Sequence, residues 1–224
     1  MTVLEAKLEA NASYGDYILR TGNPVLFRYE DVCGAFFYTR FTTCKKILEI
    51  GPGRCWFTRQ NQDAIVAVDN SPELVQHFSK QGVDIRLGDA YDTGIADEAM
   101  DGVFCCWLFE HLADPLRAMK EIYRVLKPGG YALVIVPTPH SMEHFYDDYT
   151  HIRPYTAVSL KQLAEDSGFT RHKESCWPFA FGSMHVLRYF GRPLTLWYLN
   201  FSNRVLRALG LVNRNQLLLE VWKG

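Results

Sequence analysis

Residues 46–70 read KILEIGPGRCWFTRQNQDAIVAVDN. Ile47-Leu48-Glu49-Ile50 is a short apolar run broken by one carboxylate, and Gly51-Pro52-Gly53 follows it at once. A second apolar run, Ala64 to Val68, ends in Asp69. This order predicts strand, glycine turn, helix, strand and terminal acid, the plan of a nucleoside-binding βαβ unit. Glycines let a ligand approach the backbone where a Cβ would clash. An acid at the tip of the second strand can accept hydrogen bonds from a ribose diol. The competing reading is a plain strand-turn-helix in some other α/β protein, because a single glycine motif is weak by itself.

The dinucleotide pattern G-x-G-x-x-G is not completed, since Arg54, Cys55 and Trp56 follow Gly53. Bulky Trp56 suits a pyrophosphate site poorly. Downstream, Ser71-Pro72-Glu73 starts a helix, with a cap, a proline at the first position and an acid at the positive end of the dipole. Val83 to Leu87 reads as a third strand ending in Gly88-Asp89-Ala90, where Asp89 could equally do no more than cap a turn. A fourth strand, apolar from Val103, leads into Glu110-His111. A helix entered at Asp114-Pro115 places Leu116, Met119, Ile122, Tyr123 and Leu126 on one face and ends at Lys127-Pro128-Gly129-Gly130. Tyr131 to Pro137 is the fifth strand.

Glu49, Gly51 and Gly53 match the E-x-G-x-G-x-G motif of the class I S-adenosylmethionine (SAM)-dependent methyltransferases, with Cys55 at the last glycine. The EHLADP and RVLKPGG strings extend the resemblance over residues 47–137. It implies an α/β fold: a Rossmann-like seven-stranded, mostly parallel sheet with helices on both faces, an antiparallel last strand and a helical insertion before it. It implies SAM as cofactor and S-adenosylhomocysteine as product. Glu49 and the glycine turn would seat the methionine end, Asp69 the ribose, and Asp89 and Ala90 the adenine, with Asn70 also at the cofactor. Sheets of this kind bind ligands beyond the carboxyl ends of their strands, where Cys106 should fall as well. Cys55 in place of glycine would crowd the methionine end.

Residues 138–156 read TPHSMEHFYDDYTHIRPYT, crowding histidine, acid and tyrosine beside the fifth strand. The DDYTHIRPYT string resembles a subset of bacterial class I methyltransferases, several acting in glycan or secondary metabolism. It would make His151 or Asp148 the general base for an acceptor hydroxyl. Arg153 would hold a carboxylate or phosphate, with His111 and Tyr149 also on the substrate side. Other readings stay open. His151 and Asp148 could be a structural pair, the cluster could hold a divalent metal, although no metal ligand is assigned, and Tyr149 and Tyr155 could simply cover the core. His111 could be a hydrogen-bonding residue at a helix entry.

A chain of 224 residues suits one domain. It divides into an N-terminal cap (1–43), a SAM-binding core (44–137), a substrate-side segment with the sixth strand (138–178), a helical insertion (179–214) and a last strand (215–224). In the cap, Arg28 to Phe41 can form a helix with Phe36, Phe37 and Phe41 inward, either covering the cofactor cleft or only packing on the sheet. The insertion contains no Asp or Glu but is rich in arginine and aromatics. Such a segment can contact a membrane surface peripherally, hold a lipid-linked acceptor, or act as a lid with its arginines in solvent. Formal net charge of -1 disfavours nucleic acid as partner. Six cysteines without a C-x-x-C pair read as reduced thiols. With no secretory signal and no spanning run, the expected location is cytoplasmic. The expected activity is methyl transfer to an oxygen, less readily a nitrogen, of a small-molecule, glycan or lipid-linked acceptor. The rivals are a SAM-fold partner protein without turnover, motivated by Cys55, and a nicotinamide-dependent enzyme.

Overall fold

The computed structural model describes residues 14–141, 145–177, 191–209 and 213–224. The start of the insertion at 179–190, Met142 to His144 and the first thirteen residues lie outside them. Helices are α1 (14–20), α2 (Pro24–Tyr38), α3 (Pro72–Ser79), α4 (Pro115–Val125), α5 (Ala157–Asp166) and α6 (Arg192–Ala208). Strands are β1 (Ile47–Ile50), β2 (Ile65–Asp69), β3 (Ile85–Leu87), β4 (Met100–Cys106), β5 (Leu126–Pro137), β6 (Arg171–Trp177) and β7 (Asn213–Trp222). They form one seven-stranded sheet in the order β3-β2-β1-β4-β5-β7-β6. The first five run parallel, and β7 pairs antiparallel with both β5 and β6.

The two-residue period of each strand sorts its side chains between two cores. Leu48, Ile50, Val103, Cys105, Val134 and Leu219 face α4 and α5 and meet Met119, Ile122 and Leu160. Ile47, Phe104, Leu133 and Leu218 face the other way and meet Phe37 of α2 and Leu199 of α6. Phe57 stacks on Phe104 at 4.0 Å between ring centroids, and Phe41 meets both rings edge-on. Thus α2 packs on the sheet, as one of the two readings of Arg28 to Phe41 has it.

Caps set the helix starts. Asn23, Ser71, Asp114 and Thr156 each accept from backbone N–H groups of the first turn, and Thr156 with Ser159 completes a capping box. The helix expected between Gly53 and Ala64 does not form; turns and a short 3₁₀ helix over Thr58–Gln60 stand in its place. Cys55 sits at φ 55°, a left-handed conformation that an α-helix cannot contain. The helix α4 stops at Val125, and β5 begins at Leu126, ahead of the Lys127–Gly130 stretch expected to end the helix. The insertion is helical over Arg192–Ala208, but its last two residues, Asn213 and Arg214, already belong to β7; α6 exposes Leu194, Trp197, Phe201 and Val205. Arg192 is engaged, hydrogen-bonding Gln60 Oε1 at 2.8 Å and pairing with Asp31 at 3.6 Å. No helix among the described residues is long and apolar enough to cross a membrane. All six cysteines are reduced thiols.

One ion pair ties the N-terminal helices to the glycine turn. Arg54 donates to both oxygens of Glu30 at 2.6–3.0 Å and to the carbonyls of Ile18 and Thr21 at 3.2 Å. Arg54→Met should therefore cost about 3 kcal/mol in urea unfolding, because it strands the buried Glu30 carboxylate. The double variant Glu30→Met/Arg54→Met should recover most of that loss. A single variant as stable as the native chain would contradict the assignment.

Candidate active site

The carboxyl ends of β1, β2, β4 and β5 finish level and release their loops on one side of the sheet. After β1, Gly51 and Gly53 adopt φ 66° and 50°. A Cβ on Gly51 would press Leu108, whereas the direction of a Cβ on Gly53 is open for 4 Å. Glu49, 2% exposed, accepts from the backbone N–H of Thr58 at 2.9 Å and from its hydroxyl. It thereby holds the far end of the glycine turn. Burial pushes the Glu49 carboxyl up to about 8 despite the Thr58 hydrogen bonds. Cys55 turns its thiol into a core of Ala67, Leu74, Phe78 and Ile85 and is fully buried. The side of the turn at Gly53 is thus left clear.

Asp69 ends β2. Its Oδ1 accepts from Ser71 N at 2.9 Å, and burial raises it to about 6 against hydrogen bonds from the Ser71, Gly53 and Asn70 backbones. Asn70 beside it is exposed. Asp89, beyond β3, accepts from Tyr91 N at 2.8 Å in a tight turn, with Ala90 half-buried between them. Cys106 closes β4 opposite Ile135, and burial raises its thiol well above the ordinary range. The next residue, Trp107, is left-handed at φ 55° and donates from Nε1 to Gln216 at 3.0 Å. Strained residues of this type concentrate at functional sites.

The residues expected on the substrate side meet the chain at Phe109–His111. The His111 and His151 rings lie 4.6 Å apart between centroids. His151 Nδ1 is 2.5 Å from the Phe145 carbonyl, a geometry that requires Nδ1 to carry the proton. The Thr150 hydroxyl donates to Asp148 Oδ1 at 2.6 Å, so at 2.8 Å it accepts from His111 Nδ1–H. Each ring thus keeps its Nε2 lone pair. Burial, reinforced by His151, lowers His111 to about 4 and leaves it neutral at pH 7. Burial works to raise Asp148, but the two Thr150 hydrogen bonds and the facing imidazoles hold it below the ordinary carboxylate range. Arg153 donates to the Ala113 carbonyl at 3.1 Å, and Tyr149 is 87% exposed. Tyr155 is buried and donates to the Phe109 carbonyl, so it belongs to the core.

Sequence reading gave no role to three residues here. Glu110 is buried beside His111, and its carboxyl is pushed up to about 8 by burial and by Asp148. Tyr14 of α1 packs 5.8 Å from His111; burial and the charges of Asp148, Glu110 and Asp69 raise its hydroxyl to about 12. Thr150 links Asp148 to His111. Glu110 carried a sequence signal as a carboxylate next to the singled-out His111, and Thr150 as part of the DDYTHIRPYT string; Tyr14 carried none. Of the N-terminal helices, α1 reaches this edge, where Gly15 is so close to Ser71 that a Cβ would strike its Oγ.

Residues 48–134 match the family model of a methyltransferase domain. An uncharacterized methyltransferase-like protein of Schizosaccharomyces pombe is 42% identical over 148 residues, covering 60% of this chain and 57% of that one. A ubiquinone/menaquinone biosynthesis C-methyltransferase of Desulfotalea psychrophila is 32% identical over 74 residues, covering 33% and 30%. A SAM-dependent methyltransferase structure from Archaeoglobus fulgidus superposes with a TM-score of 0.64 at 21% identity, covering 87% and 94%. This chain spans 36–57% of the length of the first three curated relatives it matches. Residues 48–134 thus match a methyltransferase domain, and the sheet has the fold of the superposed SAM-dependent methyltransferase.

A buried acid whose native pKa is raised contributes stability fully below its unfolded value and loses it as pH rises through the native value. Glu49 moves from 4.5 to about 8, so its contribution should fade between these limits. Melting of the native chain should weaken from pH 5 to pH 8, and Glu49→Gln should flatten that decline. An equal decline in both proteins would contradict the burial argument.

Proposed function

We propose that this chain is a class I SAM-dependent methyltransferase and moves a methyl group onto an oxygen of a small, glycan or lipid-linked acceptor, in preference to nitrogen. The observation that carries this reading is the convergence of Gly53, Asp69 and Tyr14 with the paired imidazoles of His111 and His151 at one sheet edge. SAM supplies an activated methyl: its C–S bond breaks as the acceptor oxygen forms the new O–C bond, and S-adenosylhomocysteine departs. Glu49 and the backbone of Gly51 and Gly53 hold the methionine end, Asp69 and Asn70 the ribose, and Asp89 with Ala90 the adenine. Cys106 lines the floor of the cleft.

His151 is the catalytic residue. Its Nδ1–H is fixed on Phe145, so its Nε2 lone pair is the one turned to activating an acceptor hydroxyl. Asp148 acts through Thr150, which sets the tautomer of His111. A carboxylate held below its usual range is a weak base, so Asp148 positions instead of taking the proton. Arg153, His111 and Tyr149 border the acceptor. Aligning acceptor and methyl in one geometry is the protein's main contribution to rate. The turn at Cys55 stays passable because its thiol lies in the core, which favours turnover over a partner role.

Calorimetric titration with S-adenosylhomocysteine should show micromolar binding. Asp69→Ala should weaken it by tenfold or more, since a ribose hydrogen bond to a charged group contributes about 1.5–3 kcal/mol. His151→Ala should bind equally well yet lose labelled-methyl incorporation into hydroxylated acceptor pools by at least 100-fold. Absence of binding by the native chain would contradict the cofactor assignment, and full incorporation by His151→Ala would contradict the catalytic one.

A further inference from the structure

Glu110, His111 and His151 each offer one ligating atom, and the three atoms lie within 4.8 Å of one another. The Glu110 side chain is 1% exposed, and its Oε2 has no hydrogen-bond partner among the described residues. A buried carboxylate oxygen without a partner is costly and rare unless something outside the chain satisfies it. Both histidines have Nδ1 engaged, on the Phe145 carbonyl and on the Thr150 hydroxyl that leans on Asp148. Outer hydrogen bonds of this kind fix ring orientation and leave Nε2 for a metal.

We infer that Glu110, His111 and His151 bind one first-row divalent transition-metal ion (Mn²⁺, Fe²⁺, Co²⁺ or Zn²⁺) whose open positions receive the acceptor oxygen. The inference rests on reading this end of the cleft as the acceptor site. Two imidazoles and one carboxylate suit these ions, whereas Mg²⁺ and Ca²⁺ favour sets made of oxygen alone. Three protein ligands leave coordination positions open, as catalytic metal sites require. Ligand atoms sharing one ion stand about 3 Å apart, so closing the site takes a side-chain shift of about 1 Å. The bound ion lies between His151 and the acceptor, polarises the acceptor hydroxyl and eases loss of its proton to solvent. With its Nε2 on the ion, His151 is a ligand and the ion takes over the activating role that the metal-free site leaves to the imidazole.

The test is titration of the EDTA-stripped full chain with Co²⁺, followed by calorimetry and visible absorption, with S-adenosylhomocysteine titrated into the same sample. One Co²⁺ per chain, with visible ligand-field bands, is expected. Glu110→Gln and His151→Asn should each weaken uptake by about 100-fold, and Thr150→Val by about 10- to 100-fold through the lost outer hydrogen bond. S-adenosylhomocysteine affinity should stay unchanged in all three. If Glu110→Gln fails to melt cooperatively, Thr150→Val and His151→Asn decide. Failure of the native chain to take up Co²⁺, or uptake unchanged in the folded variants, overturns the ion site. Nucleoside binding without Co²⁺ uptake removes the ion and spares the methyl-transfer reading. Co²⁺ uptake without nucleoside binding does the reverse.

Discussion

Parallel pairing of β1 with β2 and β4 is the constraint on which the site depends. Ile50 stands opposite Val68 on one side and Cys105 on the other. The glycine turn, Asp69 and Cys106 therefore leave the sheet at one level. The register Cys106 to Ile135 brings the end of β5 to the same edge, and with it the segment that carries Asp148 and His151. Residues more than a hundred positions apart become neighbours because four buried strands stop together. The two apolar faces hold that register, since a one-residue slip would swap Phe104 with its small neighbours and disturb both cores.

The loops at this edge are tense and pinned. Gly51, Gly53, Cys55 and Trp107 are all left-handed. The two that are not glycine each cost about 1 kcal/mol in conformation. Hydrogen bonds offset this: buried Thr58 to Glu49 in the glycine turn, Ser71 to Asp69 in the loop after β2, and Trp107 to Gln216 of β7. At Cys55 the backbone explains why glycine is the expected residue, and the buried thiol explains how cysteine is accommodated. It meets a left-handed φ by placing its side chain in a core of Leu74 and Phe78.

The parallel strands were legible in the sequence because apolar runs bounded by Gly, Pro and Asp leave few alternatives. So were the cap at Ser71 and the helix start at Asp114-Pro115. The missing helix after Gly53 was not legible, since nothing local to Cys55 announces a left-handed residue. Asp148 and His151 look alike as candidate bases when judged by residue type. They separate only once Thr150 is seen to occupy Asp148 while His151 keeps a lone pair, and that distinction is tertiary. Tyr14 reaches the cleft from the far end of the chain through the fit of Gly15 on Ser71, which no spacing rule encodes. Tyr155 covers the core, as one reading of its segment has it, whereas Tyr149 is exposed; the sequence pattern alone does not separate the two.

The most direct test is a crystal structure of the chain with S-adenosylhomocysteine. The ribose should lie on Asp69, the methionine portion against Gly51 and Gly53, and the sulfur should open toward Glu110, His111 and His151. A nucleoside seated elsewhere, or a sulfur turned away from those two imidazoles, would contradict the joining of cofactor turn and histidine pair into one active site.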